Sequence, residues 1–152
     1  MHRREFIKIG TAGAAGLLIG QVSPQVLKAA ADFRSLKITA VDVFPLKTGS
    51  IFVLVRTNEG ITGLGECSPM NARVIVSMLR DALVPIVLGK NPLDIDRLWD
   101  EIYHRTYKLG VMGAQPEAMS GIDIALWDIL GKVTDLPLWQ LFGGKRKDRM
   151  RM

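Results

Sequence analysis

Past its first thirty residues the chain alternates apolar and polar positions in short runs, then changes to helical spacing. Residues 36–46 are rich in β-branched and apolar side chains and close at Pro45, which predicts a strand. Residues 50–57 (Ser-Ile-Phe-Val-Leu-Val-Arg-Thr) predict a second, and Asn58-Glu59-Gly60 separates it from a third over 61–66. A three-residue connection ending in glycine suits a hairpin whose last loop residue takes positive φ. Gly63 and Gly65 inside the third run signal a close backbone approach or a bulge. The three runs make a small antiparallel meander.

From residue 72 the apolar spacing is helical. Over 72–83, Val74, Met78 and Leu79 share a face with Val76 and Leu83 beside it, and Pro85 is expected to end or kink this helix. Asn91-Pro92 predicts the next helix start, with Asn as cap, Pro in the first turn, and Asp94 and Asp96 near the positive end of the dipole. This helix is expected to run to Tyr107, followed by a loop over 110–115. A third helix is predicted from Pro116-Glu117 through Val133. Its apolar residues, among them Ala118, Ile122, Leu126, Ile129 and Leu130, cover more than one stripe. Such a helix is buried on two sides or needs a further partner. Leu136-Pro137 ends it, and a short turn over 138–142 leads to Gly143-Gly144. Strands followed by helices, not alternating with them, predict an α+β fold: a three-stranded antiparallel meander followed by a helical bundle.

The N-terminus reads differently. Met-His-Arg-Arg-Glu-Phe-Ile-Lys precedes an apolar, Gly/Ala-rich run over 9–20, and Ala29-Ala30-Ala31 follows. A charged region, a short apolar region and small residues make the order of a secretory signal. Paired Arg3-Arg4 before Phe6-Ile7-Lys8 resembles a twin-arginine export signal, with cleavage after Ala31. Gln21, Ser23, Pro24 and Gln25 break the run short of the about 20 apolar residues of a spanning helix. The expected location is periplasmic or otherwise exported, with the twin-arginine translocase as a partner. The net charge of +5 shrinks on this division. Residues 1–31 hold four basic side chains and Glu5, leaving 16 basic and 14 acidic residues in the rest. That balance gives no footprint for nucleic acid. One cysteine, Cys67, forms no internal disulfide and reads as a small buried hydrophobe.

Two stretches resemble the mandelate racemase and muconate lactonizing branch of the enolase superfamily. One is Val55-Arg-Thr-Asn-Glu-Gly-Ile-Thr-Gly-Leu-Gly-Glu66. The other is Ala118-Met-Ser-Gly-Ile-Asp-Ile-Ala-Leu-Trp-Asp-Ile-Leu-Gly-Lys132, continued by Pro137-Leu138 and Leu141-Phe142-Gly143. The resemblance covers residues 36–152 and implies three parts: an export signal over 1–31, an N-terminal capping domain over 32–144, and over 145–152 the start of a barrel domain. The rest of the TIM barrel is missing from this chain. The basic tail from Lys145 is then the entry to the first barrel strand.

The family's reaction is proton abstraction next to a carboxylate, helped by Mg²⁺ and a Lys or His base. In the family these groups sit at barrel strand ends, so no residue here is assigned as catalytic or metal-binding. Asp123 and Asp128 are five apart on a helix and diverge by about 140°. Asp94 and Asp96 read as helix N-terminal charges, and His104 as a surface or packing residue. Trp99, Trp127 and Trp139 read as core or interdomain contacts. The cap's implied contribution is specificity, through two loops that close the barrel mouth. Here these are residues 46–50 and 67–73, with Lys47, Thr48, Ser50, Ser68 and Asn71 as hydrogen-bonding candidates and Arg73 as a carboxylate partner. The short first loop leans toward a polar, extended acid. The expectation is the N-terminal part of a Mg²⁺-dependent acid-sugar dehydratase or racemase acting on a hydroxy-acid or sugar-acid, homo-oligomeric when complete and inactive as this chain alone. The alternatives are a stand-alone exported binding or assembly module and a gene remnant.

Overall fold

The two faces of the sheet follow from its register. In the computed structural model, which describes residues 24–145 and 147–149, β1 (Ile38–Pro45), β2 (Ile51–Thr57) and β3 (Thr62–Cys67) form an antiparallel sheet in the order β1-β2-β3. Val41, Val55 and Gly63 stand in one row across it; Val43, Val53 and Gly65 make the next, and Pro45, Ile51 and Cys67 the third. These positions face the helices, and Ile51, Val53 and Val55 are fully buried. The register shifts between Ile38 and Ala40, a bulge that brings buried Ile38 to the same side as Val43 despite their odd spacing.

The helices are α1 (Pro24–Asp32), α2 (Ala72–Ser77), α3 (Val84–Val87), α4 (Ile95–Thr106), α5 (Ala114–Thr134) and α6 (Leu138–Leu141). Two differ from the sequence expectation. Pro85 does not stop its helix. It has no N–H to give and its ring crowds the carbonyl four residues back. The chain widens into π turns over Met78–Leu83, where the Val84 N–H reaches the Leu79 carbonyl, and Pro85 then sits in the first turn of α3. Asn91 does not cap α4. Its Oδ1 accepts the Leu93 N–H at 2.9 Å in a tight turn of its own, and the helix starts at Ile95. Residues 24–31, assigned from sequence to the export segment, lie in α1, whose Ala29 is buried.

The long helix α5 lies against β3 at backbone distance. A Cβ on Gly63 would fall 2.0 Å from the Ala125 carbonyl oxygen, and one on Gly65 2.0 Å from that of Gly121. A Cβ on Gly121 would in turn meet Cys67 Sγ at 2.3 Å. Ala118, Gly121 and Ala125 thus form a seam of small residues that runs down β3 in reverse, from Cys67 to Gly63. Ile122, Leu126 and Ile129 flank the seam and fill the core with Leu36, Ile75, Leu79 and Leu83. Each such side chain contributes about 1.5–3 kcal/mol when fully buried. Pro116 and Glu117 suit the first turn of α5, and Asp135, in the left-handed region at φ 53°, ends it.

Edge strands present unpaired N–H and C=O groups, and here side chains and a loop cover them. On β3, Asp128 Oδ2 accepts the Leu64 N–H at 2.8 Å, while Lys132 Nζ donates to the Thr62 carbonyl at 2.7 Å and to Asp128 at 2.8 Å. On β1, Ile38 exchanges hydrogen bonds with Gly89 and Lys90, and Arg80 Nη2 donates to the Val43 carbonyl at 3.0 Å. Cys67 ends the seam, buried, with burial pushing its thiol up to about 11.

A Gly65→Ala chain is expected to lose about 3 kcal/mol of unfolding free energy by urea titration, since the facing atom is backbone and cannot step aside as a side chain would. Met112→Ala, at a position 95% exposed, is expected to stay within about 0.5 kcal/mol of the parent. Equal stability of the two variants would contradict the close contact.

Candidate functional site: the rim where two loops meet

The two loops expected from sequence to set specificity leave the same end of the sheet, because Pro45, Ile51 and Cys67 are aligned in the last row. The β1–β2 loop is tight. The Leu46 N–H donates to the Ser50 carbonyl at 2.8 Å, the Gly49 N–H donates to the Leu46 carbonyl at 3.0 Å, and Gly49 takes φ +98°, which favours glycine. The loop after β3 is organised by short polar side chains. Ser68 Oγ accepts the Met70 N–H at 3.3 Å, and Asn71 adopts φ 58° with its carbonyl accepting from Val74 and Ile75 to start α2. The two loops run close together: a Cβ added to Gly49 would lie 3.5 Å from Cβ of Pro69.

The six candidates lie on or next to these two loops at this end of the sheet. Lys47 and Thr48 are exposed on the first loop with half-buried Ser50; half-buried Ser68 and exposed Asn71 and Arg73 belong to the second. Among the described residues neither Lys47 nor Arg73 has a carboxylate within ion-pair distance. Arg73 also borders an apolar groove of about 460 Å³ lined by Val74, Ser77, Met78, Asp81, Ala82 and Leu109. The groove was missed from sequence. Its far wall is Leu109, the last residue of the short 3-10 turn Tyr107–Leu109, and the run of exposed apolar residues Leu109, Val111 and Met112 is the available signal.

The other candidates disperse. Asp128 is occupied at the β3 edge. Asp123 points elsewhere: it is half-buried, and burial raises its carboxyl, with Asp96 on α4 adding in the same direction. Asp94 lies 4.0 Å from Arg97, and exposed His104 has Nε2 3.3 Å from Asp100. Glu101 is held below its ordinary range, chiefly by its hydrogen bond from Lys90. Of the tryptophans, Trp127 packs against the core and the other two do not. Trp99 and Trp139 are nearly half exposed, Trp99 stacks on Tyr103, and part-buried Trp127 meets Phe142 at 4.6 Å. Among the described residues no group of three or more His, Cys, Asp or Glu is arranged to hold a metal ion, and no helix is long and apolar enough to cross a membrane. Arg3 and Arg4 lie outside the described residues, and Ala31 is exposed on α1.

Residues 17–143 match the family model described as the N-terminal domain of mandelate racemase / muconate lactonizing enzyme. The chain is 37% identical over 120 residues to the D-galactonate dehydratase family member RspA of Cellvibrio japonicus, an alignment covering 76% of this chain and 29% of that protein. It is 39% identical over 113 residues to the D-mannonate dehydratase CC0532 of Caulobacter vibrioides, covering 72% and 28%. A mandelate racemase/muconate lactonizing protein of Paracoccus denitrificans superposes with a TM-score of 0.71 at 35% identity, covering 74% of this chain and 32% of that one. A magnesium complex of a mandelate racemase/muconate lactonizing protein from the same organism superposes at 0.66, with 35% identity and coverage of 74% and 32%. The chain spans about three tenths of the length of the curated relatives it matches. With the glycine-seamed helix and meander matching in both sequence and shape, the chain belongs to the mandelate racemase/muconate lactonizing enzyme family of the enolase superfamily and carries its N-terminal domain.

Proposed function

We propose that this domain is the specificity cap of an acid-sugar dehydratase, and that its two-loop rim receives the sugar acid. The observation that supports the proposal is the close approach of the two loops at Gly49 and Pro69, at the end of the sheet that carries Lys47 and Arg73, neither of which has a carboxylate partner among the described residues. Unpaired cations beside the hydroxyls of Thr48, Ser50 and Ser68 and the Asn71 amide suit a polyhydroxylated anion: charge-assisted bonds to the acid, neutral ones to the hydroxyls. The dehydratase names of the relatives support the same substrate class.

In the proposed reaction a base removes the proton on the carbon next to the carboxylate. The neighbouring carbon–oxygen bond breaks and water leaves. The resulting enol takes up a proton to become a 2-keto-3-deoxy acid. A metal supplies charge stabilisation to such an intermediate when present. The described residues do not form a set that would hold one, so no step is assigned to a metal bound by them. Their part is to bind and orient the acid and to limit water at the rim.

The test is the polypeptide encoded by the full reading frame, assayed against a panel of sugar acids with Mg²⁺ for 2-keto-3-deoxy product. An Arg73→Ala variant is expected to raise KM about tenfold, the loss of one charge-assisted contact. Turnover of no sugar acid, or an unchanged KM in the variant, would overturn the reading. Export is part of it, supported by the Arg3-Arg4 pair and the weakly apolar run after it. Arg3→Lys/Arg4→Lys is expected to leave the protein unexported in cell fractionation, and undiminished export would contradict the twin-arginine route.

A further inference from the structure

A third loop stands at the same end of the sheet, and its base is buried. α5 runs along β3 in reverse, so its first turns lie at the Cys67 end, where the Cys67 thiol donates to the Ala118 carbonyl at 3.7 Å. The connection from α4 to α5, residues 107–113, therefore lies at the end from which the 46–50 and 67–73 loops leave. Its Leu109 shares the apolar groove with Arg73 and Val74. The side chains of this loop differ in kind from those of the other two: Leu109, Val111 and Met112 are all exposed and apolar. Gly110, at φ +112°, and Gly113 bound the tip, with open space where a Cβ would stand.

A pair of buried polar side chains holds the base. Fully buried Gln115 donates from Nε2 to Thr106 Oγ1 at 3.0 Å, and the buried Thr106 hydroxyl donates to the Ile102 carbonyl at 2.6 Å. The first bond ties the last residue of α4 to the second residue of α5, which fixes the two ends of the loop to each other. The arrangement is costly. Gln115 Oε1 is buried with no hydrogen-bond donor among the described residues. An unmet buried acceptor costs more than one ordinary hydrogen bond returns, and a methionine of similar length would fill the same space without it.

We infer that Gln115 is a positioning residue, which holds the 107–113 loop in place as a third, apolar wall of the rim. The amide is kept at a net cost to stability because it sets where the loop leaves the core. The wall complements the other two loops. They offer cations and hydroxyls to an acid, whereas Leu109, Val111 and Met112 offer its C–H side a surface that makes no hydrogen bond and displaces water. Placement of the loop by Gln115 is independent of any ligand. Contact of the wall with an acid rests on the reading of the rim as a sugar-acid site.

Two measurements test the two parts separately. In the 152-residue chain, exposed Lys108 lies in the first turn of the loop, and trypsin cuts after it only when that turn opens. Gln115→Met is expected to speed cleavage at Lys108 about fivefold, the weight of one hydrogen bond. Its urea midpoint is expected to be unchanged or higher, because the unmet acceptor is gone. Thr106→Ser, which keeps the hydroxyl, is expected to be cut at the parent rate. Unchanged cleavage in Gln115→Met would mean that the pair does not hold the loop, and a lowered midpoint would mean that the amide is there for stability; either overturns the inference. In the polypeptide encoded by the full reading frame, Gln115→Met and Met112→Ser are each expected to raise KM about fivefold for the acid of the panel turned over fastest, with kcat within about twofold of the parent. An unchanged KM in both would overturn the third wall. Turnover of no sugar acid would overturn the reading of the rim, while placement of the loop would still stand or fall on cleavage at Lys108.

Discussion

Backbone contact between β3 and α5 is the constraint on which the rest of the domain depends. Gly63, Gly65 and Gly121 let a strand and a helix approach until any added Cβ would overlap a carbonyl oxygen or a sulfur. At that distance Asp128 and Lys132, one turn apart on the helix, reach past the seam and hold the outer N–H and C=O of β3. The helix therefore substitutes for a fourth strand. Leu64 is fixed by an acid 64 residues away in sequence, so the pairing is a tertiary event that no local propensity supplies.

The same arrangement separates the surfaces of the domain. The inner stripe of α5 is spent on the seam and the core. Its outer side leaves Ile124 exposed and Trp127 against Phe142, with Lys145 Nζ 5.2 Å from the Trp139 ring centre at the start of the basic tail. The ends of the strands place the two polar loops together at the rim. The outer sheet face, set by the register, keeps Phe44, Phe52, Leu54 and Leu64. One close contact thus orients three surfaces, and each carries its own chemistry: aromatic along the helix, cationic and hydroxylic at the rim, apolar with the Arg56–Asp42 ion pair on the sheet.

Much of this was legible because it is written in local pattern. Alternation located the three strands to within two residues at their ends. Gly63 and Gly65 announced a close approach, and the two-sided apolar pattern of α5 announced a helix with more than one neighbour. The departures arise where local signals have two physical meanings. Asn91-Pro92 makes either a helix cap or a separate turn, and the Asn91 side chain chose the turn because its amide also donates to the Phe33 carbonyl. Pro85 stops a helix unless the preceding turns widen, which they do. The tryptophans have large apolar surfaces, but their exposure depends on neighbours far along the chain. At the rim, sequence supplied the six residues by resemblance, and the close approach of their loops at Gly49 and Pro69 is a distance that only the fold supplies.

Amide hydrogen exchange at Leu64 tests the central claim most directly. An edge-strand amide facing solvent exchanges within the opening of its own strand, whereas one bonded to Asp128 exchanges with the opening of the helix and core. The expected result is protection of the Leu64 amide within about tenfold of that of Val53 on the central strand, lost in an Asp128→Ala chain whose Val53 remains protected. Rapid exchange at Leu64 in the parent chain would contradict the account, because α5 would then not be holding the edge of the sheet.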